Sequence, residues 1–172
     1  MADPAALTTP TETAPDPAAA LRARVRGTNI NERSLLATDY LNHFNEVVMM
    51  LDLVPDMPEC LDEVRAWQPR GYKDHFRDST FHDRDLAIEA YDHAPRACRA
   101  AFEDTIRQLD RLVARSIVDL DAAIAHGDAE RTAHVAAAAV RRMQGLIDVA
   151  SALINGETPS SLQREIDTLL DG

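Results

Sequence analysis

Residues 97–154 read ACRAAFEDTIRQLDRLVARSIVDLDAAIAHGDAERTAHVAAAAVRRMQGLIDVASALI, and their periodicity decides the fold. Cys98, Phe102, Ile106, Leu109, Val113, Ile117, Leu120 and Ile124 recur in steps of three and four. That spacing puts apolar side chains on one face of a helix. After His126-Gly127-Asp128, the same spacing resumes at Ala136, Val140, Met143, Ile147, Ala150 and Ile154. Gly127 suits the left-handed residue that ends a helix, and Asp128 suits the cap that starts the next. So short a connection makes 97–125 and 129–154 an antiparallel hairpin. Val135 to Val140 is almost all alanine and valine, so another helix can approach closely there.

Upstream, residues 31–54 (NERSLLATDYLNHFNEVVMMLDLV) read as a further strongly amphipathic helix. Ala37, Leu41, Phe44, Val48 and Leu51 form one stripe, with Leu36, Tyr40, Val47 and Val54 beside it. Its start is expected near Asn29 to Asn31, because Asn29 followed by Glu32 resembles a capping box. Its end falls before Pro55. Shorter segments follow. Leu61, Val64 and Trp67 give one short helix, and residues 83–93 give another. Residues 72–81 read as one or two helical turns inside a loop. Thr158 and Pro159 open a last helix with Leu162, Ile166 and Leu169 on one face. Residues 1–26 carry four prolines in the first seventeen positions and no apolar period, so a disordered arm is expected ahead of a bundle domain over 27–172. The expected fold is therefore all-α, a bundle built on the hairpin.

Composition narrows the partners. The net charge is −11 and the sequence pI is about 4.9, which disfavours nucleic acid and anionic membrane and suits a basic protein surface. Aromatic residues are only 5% of the chain, in keeping with helix rather than sheet. Cys60 and Cys98 match no zinc or redox spacing. No secretory leader is legible at the N-terminus, and no apolar run is long enough to span a bilayer. A cytoplasmic protein with two reduced thiols is the expectation.

Two constellations bear on function. Asp39, His43 and Glu46 share one edge of the helix of residues 31–54, and His82, Asp85, Glu89 and His93 fall in a narrow arc of the helix of residues 83–93. Facing each other, the rows would offer ligands for iron, manganese or zinc, as in carboxylate-histidine bundles with redox or storage activity. The Glu-x-x-His repeat of ferritin-like proteins is absent. Ala87, Ile88 and Tyr91 lie opposite the second row, so inward packing of that apolar face would leave the ligands in water. The other constellation is apolar. Val47, Met50 and Val54 form an outer stripe in excess of what one intramolecular seam requires, and Trp67, Tyr72 and Phe76 concentrate aromatics in one segment. These residues predict an interface. The leading expectation is a non-enzymatic adaptor, scaffold or chaperone-like assembly module, self-associating as a homo-oligomer or holding another protein. No glycine-rich phosphate loop or nucleophile motif is present.

Overall fold

The computed structural model describes residues 16–171, with the side chains of Gln163, Ile166, Leu169, Leu170 and Asp171 outside the description. Residues 1–15 of the expected arm, and the Ile166 and Leu169 side chains of the last expected stripe, therefore lie outside the described residues. The described residues form eight α-helices and one short 3₁₀ helix, with no strand. They are α1 (Pro17–Val25), the 3₁₀ helix (Thr38–Leu41), α2 (Asn42–Leu53), α3 (Cys60–Ala66), α4 (Tyr72–Asp78), α5 (Arg84–Asp92), α6 (Arg96–Ala125), α7 (Ala129–Ile154) and α8 (Pro159–Asp171).

The hairpin of α6 and α7 is the spine. The two helices make the most extensive contact in the molecule. Gly127 takes φ +66°, and the Asp128 carboxylate accepts from the Arg131 amide at 2.8 Å, so this turn ends one helix and caps the next. All six predicted apolar positions of α7 are buried. On α6 the buried face is Phe102, Thr105, Leu109, Val113, Ser116, Leu120 and Ala123, rotated from the predicted stripe. Cys98, Ile106, Ile117 and Ile124 are only partly buried. Thr105 and Ser116 can face inward because each hydroxyl donates to the carbonyl four residues back, at 3.0 and 2.7 Å. α2 lies against α7 and α3, α4 against α5, and α3 and α8 against α6.

Two sequence expectations are corrected. Residues 16–26 are not a disordered arm. Asp16 caps α1 by accepting from the Ala18 amide at 3.0 Å, Pro17 sits in its first turn, and Leu21 and Val25 are buried in the core. Arg24 of α1 also makes a paired contact with Glu89 of α5, at 2.6 and 2.8 Å. The proline count hid this helix, since a proline at its start stabilises rather than breaks it.

The helix expected from Asn29 begins instead at Thr38. The Asn31 side chain accepts from the amides of Arg33 and Ser34, at 2.8 and 3.2 Å, which closes a turn rather than capping a helix. Glu32 turns away to Arg26 at 3.0 Å. Leu35 adopts φ 59°, and the chain returns so that Ile30 and Ala37 bridge antiparallel. Leu35, Leu36 and Ala37 are fully buried from this loop, and the Ser34 hydroxyl donates to the Ile154 carbonyl at the end of α7. The burial of three consecutive apolar residues outweighs the strain of a left-handed leucine.

Candidate functional site

Helix α2 brings the functional candidates together. Its inner face packs on the core and, near its start, on a ring cluster, while one edge of its second half is exposed. Near its start, His43 is 9% exposed and stacks on Trp67, with ring centres 4.5 Å apart. Trp67 ends α3, and its indole N–H donates to the His43 carbonyl at 3.1 Å. His75 of α4 lies 6.1 Å from His43 and packs edge-on against Tyr40 at 5.4 Å. The Tyr40 hydroxyl in turn donates to the Arg70 carbonyl at 2.7 Å. Burial is the first reason that both histidines titrate below the usual imidazole range. Each also repels Arg70, while Glu46 pulls the other way for both. The Gln68 backbone favours charged His43, and the Asp39 backbone and carboxylate favour charged His75. Among the described residues, His43 Nε2 is buried with no hydrogen-bond partner.

The sequence gives no sign of His75, because residues 72–81 lack the period that would assign it a face. Packing of α4 near α2 supplies the pairing. A pH dependence follows. The unfolded histidines titrate near pH 6.5 and the folded ones lower, so below about pH 6.5 the unfolded state binds more protons. The stability these histidines permit is full above that value and declines as pH falls through the window beneath it. Chemical denaturation at about pH 7.5 and about pH 5.5 is expected to show this loss, and His43→Gln with His75→Gln to reduce it. An unchanged loss in the double variant would assign it to other groups.

The two expected ligand rows are not brought together. His82, Asp85, Glu89 and His93 are exposed, while Ala87 and Ala90 of α5 pack inward. Glu89 is held by Arg24, whose guanidinium keeps its carboxyl below the usual range. In the first row, Asp39 and Glu46 stand at the surface edge of the ring cluster and His43 lies within it. Among the described residues no three His, Cys, Asp or Glu side chains form a group able to hold a metal ion. An iron, manganese or zinc centre on these seven residues has no assembled ligand set.

The expected interface residues are also redistributed. Val47, Val54, Tyr72 and Phe76 are buried in the core, and only Met50 and Trp67 retain partial exposure. The aromatic segment folds inward: Tyr72 stacks on Tyr91 at 4.5 Å and meets Tyr40 at 5.4 Å and Phe76 at 4.8 Å. Of the large apolar residues left outside, Val118 stands alone on α6 at 61% exposed, and the other three cluster on another edge of α2 and just beyond its end. Met49 is 68% exposed, Leu53 43% and Met57 40%. Met49 and Leu53 are one turn apart on α2, and Met57 follows in the Pro55–Pro58 turn. Pro55 and Pro58 also wall an apolar depression of about 190 Å³ with Ile124, Gly127 and Thr132 at the hairpin tip.

The rim of this stripe is acidic. From Ser34 to Val64 the chain carries seven carboxylates (Asp39, Glu46, Asp52, Asp56, Glu59, Asp62 and Glu63) and no lysine or arginine. Among the described residues only Asp62 of these seven forms an ion pair, with Arg65. The other six carboxylates have no ion pair among the described residues and lie in the same stretch as the exposed methionines and leucine. The sequence alone could have yielded the charge run, but not which of the α2 stripes stays outside. Among the described residues no helix is long and apolar enough to cross a membrane. The chain matches no protein-family model, no curated protein and no solved structure.

Proposed function

We propose that this protein is a non-enzymatic interaction module that holds a basic amphipathic helical segment of another protein on the outer face of α2. The observation that carries this reading is the exposed stripe of Met49, Leu53 and Met57 inside a stretch of seven carboxylates without a basic residue. Methionine and leucine give an adaptable apolar strip, as in helix-in-groove recognition. The acidic rim complements lysine or arginine on the polar side of such a helix and steers its approach. The depression beside Met57 gives one large partner side chain a place to anchor. Self-association through this face would set the same carboxylates against their copies, so the reading favours a different protein as partner. We place the protein in the cytoplasm, where thiols such as the unpaired Cys60 and Cys98 stay reduced.

The test uses a synthetic leucine–lysine helix with leucines at i, i+3, i+4 and i+7. Met49→Glu with Leu53→Glu is expected to weaken its binding about a hundredfold while leaving helix content unchanged, since both side chains face solvent. A peptide with the leucines replaced by serine keeps the charge and should bind far more weakly. Equal binding of the two peptides, or of wild type and double variant, would refute the reading. A wild-type dimer that the double variant dissociates would assign the face to self-assembly instead.

A further inference from the structure

Residues 67–71 run between α3 and α4 as a strap across the ring cluster. Buried Val64 anchors it on one side and buried Tyr72 on the other, while Gln68, Pro69, Arg70 and Gly71 are exposed. Three contacts hold the strap down between those anchors. The Trp67 indole N–H donates to the His43 carbonyl, the Trp67 ring stacks on the His43 imidazole, and the Arg70 carbonyl accepts from the Tyr40 hydroxyl. Trp67 therefore covers His43, the more deeply buried imidazole of the cluster. A neutral imidazole carries a hydrogen on one nitrogen only, and a backbone hydrogen bond to Gln68 of the strap serves the ring. A charged imidazole carries one on both nitrogens, so both need an acceptor. His43 Nε2 is buried without one among the described residues.

The charges around the ring do not make up for this. His75 of α4 and Arg70 of the strap both oppose a proton on His43, and Glu46 of its own helix attracts one. Asp39 of the 3₁₀ helix acts on His75. Arg70 is itself 3.7 Å from Asp78 of α4. From α6, Asp110 acts on Tyr40 rather than on either histidine. Burial outweighs the attraction, so a proton on His43 favours any arrangement that wets the ring. The smallest such arrangement moves the strap alone. It gives up the strap's hydrogen bonds and the packing of a half-buried indole, and it leaves Phe44, Val47 and Leu51 in the core. We propose that the strap of residues 67–71 is an acid-released latch, which lifts Trp67 off His43 when that imidazole takes up a proton and leaves the bundle folded. The latch is closed above about pH 6.5 and opens as pH falls below that value. Its opening is a local event that precedes the overall loss of stability in acid.

Trp67 is the only tryptophan of the chain, so its fluorescence reports on the strap. The whole chain is titrated from about pH 7.5 to about pH 5, and emission maximum, acrylamide quenching and circular dichroism are read on one sample. The expected result is a reversible red shift with a rise in quenching, centred below about pH 6.5, while helix content stays unchanged. Folded His43→Gln should lose this step. Tyr40→Phe, which frees the Arg70 carbonyl, should move the midpoint to higher pH, and it decides the matter where His43→Gln does not fold. Asp110→Asn should keep the step, although burial also raises the Asp110 carboxyl. Dimmer emission with neither red shift nor added quenching would mean that charged His43 quenches the stacked indole in place, and would overturn the latch. So would no change at all by about pH 5, or a red shift that only tracks the loss of helix content. A step that survives in folded His43→Gln, is lost in Asp110→Asn or is unmoved in Tyr40→Phe would overturn it as well.

Discussion

Val47→Arg is expected to unfold the protein rather than alter its assembly. Val47 is fully buried on the inner side of α2, in the same core as Phe44, Val48 and Leu51. An arginine there would bury an unpaired guanidinium, at a cost of roughly 3–5 kcal/mol or more, besides the steric cost of its volume. Domain stabilities are about 5–15 kcal/mol, so the folded population should largely collapse. Thermal melting followed by circular dichroism should show no cooperative transition, or one shifted far down. A wild-type melt with only a change in mass would contradict the burial described here. The comparison substitution is Met49→Arg on the opposite edge, which should leave the melt nearly unchanged.

The second large effect concerns α1. Leu21→Ala is expected to destabilise the protein by about 2–5 kcal/mol, because the site is closed by the core and cannot relax onto solvent. For a chain of this length that corresponds to a fall in melting temperature of roughly 5–15 °C. Arg24→Ala, which removes only the exposed pair with Glu89, should leave the melt nearly unchanged. A truncation that leaves Leu21 and Val25 in place tests residues 1–15 separately. If Leu21→Ala melts like wild type, α1 is not part of the core.

These two substitutions mark where the sequence was legible. The hairpin could be read directly because its signals are local: a three-four period over two long runs, with Gly127 and Asp128 between them. The inner stripe of α2 was legible for the same reason. What periodicity could not decide was how wide an arc of α2 the neighbours cover. Helices α7 and α3 both pack on α2, so the second stripe is also inside, and the exposed arc of α2 is Asn42, Asn45, Glu46, Met49, Asp52 and Leu53. Likewise Asn31 has the chemistry of a helix cap and of a turn, and burial of Leu35, Leu36 and Ala37 chose the turn. The metal rows failed on a non-local fact. Spacing put each row on one edge, but the inward packing of Ala87 and Ala90 turned the second row to water. His75 joined His43 through contacts between segments thirty residues apart, which no local pattern encodes.

If the outer face of α2 is the docking surface, the chain contains its own reporters. Of its five methionines, Met49 and Met57 lie on the proposed face, Met50 is partly buried beside it, and Met143 is fully buried in α7. With methionine methyl groups isotopically labelled, the leucine–lysine helix is titrated into the protein and the methyl resonances are followed by NMR. The expected result is a saturable shift of the Met49 and Met57 methyls, with Met143 unmoved. Shifts absent from Met49 and Met57 at saturation, or shared equally by Met143, would contradict the account.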